Sequence, residues 1–168
     1  AQKNIPAITE LAQNIYTHYG ALDHKLNFTQ NLRSSADFVY KHSISVAILS
    51  AMIANEMHIE AEDSQSLIAA SLLYDFGYLS VPKSILDKNE DLSASDRDLI
   101  QLKSEHGYEI IRPHFAELGL NDTSLEIIQN IIFEDHATIS PRLPKPPVQL
   151  LIDILKAADK FDRLTACL

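Results

Sequence analysis

Four ionisable side chains fall on faces of the chain that are otherwise apolar: His42, Asp75, His136 and Asp159. His42 stands one turn before Val46, in register with Leu49 and Ile53. Asp75 follows Ile68 and Leu72 at helical spacing, His136 extends the Leu125, Ile128, Ile132 face, and Asp159 extends Val148, Ile152 and Leu155. Side chains on such stripes point into a core if their helices continue that far. A carboxylate taken out of water without a partner is costly, so an inward aspartate needs hydrogen bonds, a cation or a metal ion. Two histidines and two aspartates from four helices could converge on one point. Imidazole nitrogen with carboxylate oxygen is the donor set of Fe, Mn and Zn sites. Each residue also has a plainer reading. A histidine on an apolar face is often only a hydrogen-bonded core residue, and Asp75 or Asp159 could cap a helix end or face water. His106 shares a face with Leu99, Leu102 and Ile110 and reads as packed there; His18, His24, His58 and His114 read as surface.

The elements that must position these groups are helical. Ile8, Leu11, Ala12, Ile15, Tyr16 and Tyr19 make a first stripe, with Gly20 as its stop. Val39, Val46, Leu49, Ile53 and Met57 make a second. Asp63 is a candidate cap for a third helix through Leu67, Ile68, Ser71 and Leu72, ending near Gly77. After Pro82 comes a short Ser84-Ile85-Leu86 turn. Ser93 followed by Asp96 reads as a capping box, opening a helix whose expected buried side is Leu99, Leu102, Ile110 and Ile111, and which stops before Pro113. Asp122 is a candidate cap for the Leu125, Ile128, Ile131, Ile132 helix. A proline-rich stretch at 139–147 precedes a last helix through Val148, Leu151, Ile152, Leu155 and Ala158. No strand alternation, repeat or linker is visible. The expectation is an all-α fold, a single irregular bundle of six or seven helices, read as a segment of a longer signalling protein.

Composition narrows the function classes. With 168 residues, 46% of them hydrophobic, the chain can bury one compact core. No apolar run approaches the ~20 residues that span a bilayer, so membrane insertion is not expected. Cys167 is the single cysteine, which excludes an intrachain disulfide and is compatible with a cytoplasmic location. The formal net charge of −9, without a basic stripe, argues against nucleic-acid binding.

The order of short motifs resembles the HD-GYP branch of the HD phosphohydrolases. His42-Ser43 with Val46-Ala47 is similar to HSxxVA, and Leu72-Leu73-Tyr74-Asp75-Phe76-Gly77-Tyr78 to LLHDIGK. Val81-Pro82, Ile85-Leu86 and Lys88 resemble IPxxILxK, and Gly107-Tyr108-Glu109-Ile110-Ile111 resembles GxEIL. Ile131 to His136 sits where the family has its HHE segment, and Ala157 to Thr165 resembles ADxFDALT. The resemblance runs from about residue 36 onward, which divides the chain into an N-terminal helical region, 1–35, and an HD-like core, 36–168. It implies an all-α domain whose His and Asp side chains hold metal ions, and in active members a metal-activated water attacks a phosphodiester of cyclic-di-GMP.

Several family positions are substituted. Tyr74 replaces the histidine of the HD dyad, and a phenol with a pKa of about 10 is a poor metal ligand. Tyr78 replaces the lysine of DIGK, Lys103 replaces a histidine four residues before the GxEIL glycine, and Asp135-His136-Ala137 replaces His-His-Glu. The GYP sequence is absent, and the family's basic segment after ADxFDALT has no counterpart before Leu168. His42, Asp75, His136 and Asp159 remain as a remnant metal set, with Asp135 as a further carboxylate and Asp75 as the metal-bridging residue of an active member. The expectation is a site without metal in which Lys103 neutralises Asp75 or Asp159, in a catalytically impaired module that binds a signalling protein, a neighbouring domain or a cyclic dinucleotide. The alternative is a reduced phosphohydrolase using one divalent ion such as Fe or Mn.

Overall fold

A computed structural model of the chain describes residues 5–19, 35–88, 91–134 and 146–165. It is all-α, with no strand among these residues. Seven α-helices follow in order: α1 (Ile5–Tyr19), α2 (Ser35–Glu56), α3 (Ala61–Leu73), α4 (Lys83–Leu86), α5 (Ala94–Ile111), α6 (Asp122–Ile132) and α7 (Pro146–Thr165). Two 3₁₀ turns, Phe76–Ser80 and Arg112–His114, join them.

The centre of the bundle is α2 and α3, packed side by side, with α7 laid against both. Small residues allow the close approach. Ala47, Ala51, Ala54 and Ser50 line the inner side of α2, and Ala69, Ala70 and Ser71 answer from α3. The Ser71 hydroxyl satisfies itself within this contact, donating to the Leu67 carbonyl at 2.8 Å with Ser50 Oγ at 3.3 Å. Helix α1 adds Ala12 and Ile15 to the same core, while α6 supplies Ile127, Ile128 and Ile132. Helix α7 carries the stripe that its spacing predicts: Val148, Leu151, Ile152, Leu155 and Ala158 are all buried.

The helix starts differ from the sequence reading in two places. Helix α3 begins after Glu60 with no side-chain cap, rather than at Asp63. In α6 the capping side chain is Asn121, which accepts from the Ser124 amide at 2.9 Å, and Asp122 becomes the first helical residue. Asn121 is drawn there because its amide also donates to Ser66 Oγ on α3 at 2.7 Å. The capping box of α5 forms as expected between Ser93 and Asp96.

Helix α5 buries Ile111 as expected and half-buries Leu99, but the rest of its inner face differs from the expected one. Leu102 and Ile110 are exposed, His106 with them, and the inward residues are Ser104, Gly107, Tyr108 and Ile111. The cause is a glycine-to-glycine contact with the Phe76–Ser80 turn. A Cβ on Gly107 would lie 2.6 Å from Gly77 Cα, and one on Gly77 would lie 2.3 Å from the Lys103 carbonyl oxygen. Backbone approach this close turns the face carrying Ser104 and Gly107 inward and leaves Leu102 and Ile110 outside. It also fixes the turn that follows Asp75.

Candidate functional site

Helix α3 ends at Leu73, and Tyr74 and Asp75 continue from its last turn toward α2 and α7. His42 comes from the first half of α2, 1% exposed, with Phe38 stacked on its ring at 5.5 Å. Asp159, Asp162 and Arg163 come from the last turns of α7, where spacings of three and four residues place them on one side of the helix. Six side chains, from α2, α7 and the two residues that follow α3, thus meet at one point.

His42 is held at both ring nitrogens. Nδ1 donates to Asp162 Oδ2 at 2.6 Å, and Nε2 donates to Asp159 Oδ1 at 2.9 Å, with the Tyr74 hydroxyl at 3.0 Å and Asp75 Oδ2 at 3.5 Å. Tyr74 donates its hydroxyl to Asp159 Oδ1 at 2.5 Å. Arg163 closes the far side. Its Nε lies 3.1 Å from both oxygens of Asp159, and Nη2 lies 3.2 Å from Asp75 Oδ2. The guanidinium also stands 5.7 Å from the centre of the Tyr78 ring, within cation–π range.

The proton affinities follow from burial and these contacts. Burial alone would lower the His42 imidazole, but the hydrogen bonds to Asp159 and Asp162 reverse it and raise the pKa to about 8. Burial pushes the Asp159 carboxyl up, and His42 with Arg163 then drives it well below the ordinary carboxylate range. Asp75, only 6% exposed, is pushed up by burial, with Arg163 and His42 opposing. Burial, reinforced by Asp75 and Asp159, raises the Tyr74 hydroxyl well above its usual range, so it remains a neutral donor. These shifts favour the imidazolium of His42 facing the ionised carboxylate of Asp159, with the Arg163 guanidinium beside it.

Beside it opens a cleft of about 300 Å³, at the small end of small-molecule sites. Tyr74, Asp75, Tyr78, Asp159 and Arg163 of the cluster line it, together with Gln101, Ser104, Glu134 and Lys156. Lys156 is ion-paired with Glu134.

Three of the four inward residues of the sequence analysis are brought together. His42, Asp75 and Asp159 each offer one ligand atom within 4.8 Å of the others, a group that could hold a metal ion. His136, Asp135 and Ala137 lie outside the described residues. Lys103 is not the neutralising cation: it makes no ion pair among the described residues and does not line the cleft. Arg163 takes that role because it sits one turn beyond Asp159 and reaches Asp75 from there. Asp162 and Arg163 were both missed. Their signal was present in the ADxFDALT comparison, where this chain has arginine in place of the second alanine, four residues after Asp159.

Residues 39–164 match the HD domain family. The chain belongs to that family. Over 67 residues it is 31% identical to a cyclic di-GMP phosphodiesterase, PdeB, of Borreliella burgdorferi. That stretch covers 40% of this chain and 18% of the relative, so the chain spans well under two thirds of that protein. No solved structure matches it significantly. HD domains are phosphohydrolase-family domains, and no described helix here is long and apolar enough to cross a membrane.

Proposed function

We propose that this is a catalytically impaired HD-GYP-type domain, working in the cytoplasm as a signalling and interaction module of cyclic-di-GMP-related regulation. The observation that carries the reading is the guanidinium of Arg163 bonded to both Asp75 and Asp159. A divalent ion sharing those oxygens would stand close to a fixed positive charge that repels it and compete with that charge for the same two carboxylates. Tyr74 adds to this: where the family has a ligand nitrogen, it presents a neutral hydroxyl already spent on Asp159. With these groups in place the residue set does not fit the metal-holding role of an active member. In this reading residues 36–168 form the HD-like core, 1–35 an added helical region, and the partner is a signalling protein or a neighbouring domain.

Cyclic-di-GMP hydrolysis is the direct test. Protein purified without chelator and then supplied with Fe or Mn is expected to release no more linear dinucleotide than a protein-free blank. Turnover that disappears in Asp75→Ala would sink the proposal in favour of a single-ion phosphohydrolase. One observation favours that second reading: Asp162 holds His42 Nδ1 as outer carboxylates orient metal-ligating histidines. In it His42, Asp75 and Asp159 would hold the ion, which when bound supplies an activated water.

A further inference from the structure

Arg163 stands where the ADxFDALT motif has alanine, and that change puts a cation into the cluster. The side chain bonds two of the three donors, Asp75 and Asp159. Its Nε is equidistant from the two Asp159 oxygens, at 3.1 Å, while Nη2 bridges to Asp75 Oδ2, 88 residues away, at 3.2 Å. The Tyr78 ring, at the position of the family's lysine, supports the guanidinium at 5.7 Å instead of competing with it. A lysine at position 78 would put a second positive charge beside Arg163. The two substitutions therefore fit each other.

We infer that Arg163 is a built-in cation occupying the place of a divalent ion between Asp75 and Asp159, so that the cluster is a metal site closed by its own chain. This rests on the reading of the domain as catalytically impaired. It adds that the ion-binding ability of His42, Asp75 and Asp159 is blocked, not lost. Removing the guanidinium takes from Asp75 and Asp159 the cation that bonds both of them, leaving His42 beside them, and a divalent ion held by the same three side chains is a species that restores the balance.

Arg163→Ala, which reinstates the family residue, and Arg163→Met, which keeps the length of the stem, are the variants to compare with the unaltered chain. Manganese(II) chloride is the probe, read by elemental analysis after dialysis and by thermal melting. The unaltered chain should retain below about 0.1 Mn per chain where the variants retain close to one, and only the variants should melt higher with added Mn. Adding His42→Ala to Arg163→Ala should remove both effects. Variants that fold only when Mn is present would also support the inference. It is overturned if both variants fold and hold no more Mn than the unaltered chain, or if they stay unfolded at saturating Mn. In either case an unaltered chain that cuts no cyclic-di-GMP leaves the impaired-domain reading standing. Stoichiometric Mn in the unaltered chain, with turnover, would overturn both.

Discussion

Asp96 and Asp159 are both held below the ordinary carboxylate range, by surroundings of different kinds. Asp96 takes its partners from its own neighbourhood: Lys88 at 2.8 Å, the Ser93 hydroxyl at 2.7 Å and the Ser93 amide at 2.9 Å, which together bring it to about 2. Asp159 takes His42 from 117 residues away and Tyr74 from 85, and adds Arg163 from its own helix. The first cluster needs only that α5 begin at Ala94. The second exists only when α2, α3 and α7 are packed in one arrangement, so it senses the whole fold. A local polar cluster sets where a helix starts, whereas a distributed one tests whether the bundle is assembled and is where an inherited site can be rewired by one residue.

The largest expected effect sits in the distributed cluster. His42→Ala leaves Asp159 and Asp162 without their shared imidazolium and should cost roughly 3 kcal/mol in urea unfolding. The same group should shape the alkaline side of the stability profile. Its folded pKa, about 8, lies above the unfolded value of 6.5. The stabilisation it gives is therefore complete below 6.5 and declines as pH rises through 8. A melting temperature that is flat over that window in the unaltered chain would count against a protonated His42.

Gly77→Ala probes how the cluster is held in place. Its new Cβ would meet the Lys103 carbonyl at 2.3 Å, so the turn after Asp75 must move away from α5, at a cost of about 2 kcal/mol. Unchanged stability would mean that the turn is free to relax without cost.

In the local cluster, Ser93→Ala should cost about 1 kcal/mol by loss of the cap. It should leave the alkaline profile of His42 untouched. Because the folded pKa of Asp96 is lowered, its contribution is present above about 4 and is lost as pH falls toward 2. That acid-side loss should shrink in Lys88→Ala. If Ser93→Ala also altered the alkaline limb, the two regions would not be independent.

The smallest change is expected at Lys103. Lying outside the network, Lys103→Ala should shift stability by no more than about 0.5 kcal/mol. A loss comparable to that of His42→Ala would return Lys103 to the cluster.

By itself the sequence determined the helical class, the buried stripe of α7, the capping box of α5 and the inward aim of His42, Asp75 and Asp159. All of these follow from spacing along one helix or from contacts within a few residues. The face of α5 was misread at Leu102 and Ile110, though not at Ile111, because backbone contact between Gly77 and Gly107 sets which side turns inward. Only the tertiary structure decided which cation neutralises Asp75. Arg163 stands four residues after Asp159, a spacing that pairs those two along one helix, but no local spacing ties either Lys103 or Arg163 to Asp75. The crossing of α7 over the end of α3 separates them, bringing the guanidinium to the carboxylate. Helical periodicity fixes the direction in which a side chain leaves its own helix; what it meets there depends on how the helices pack.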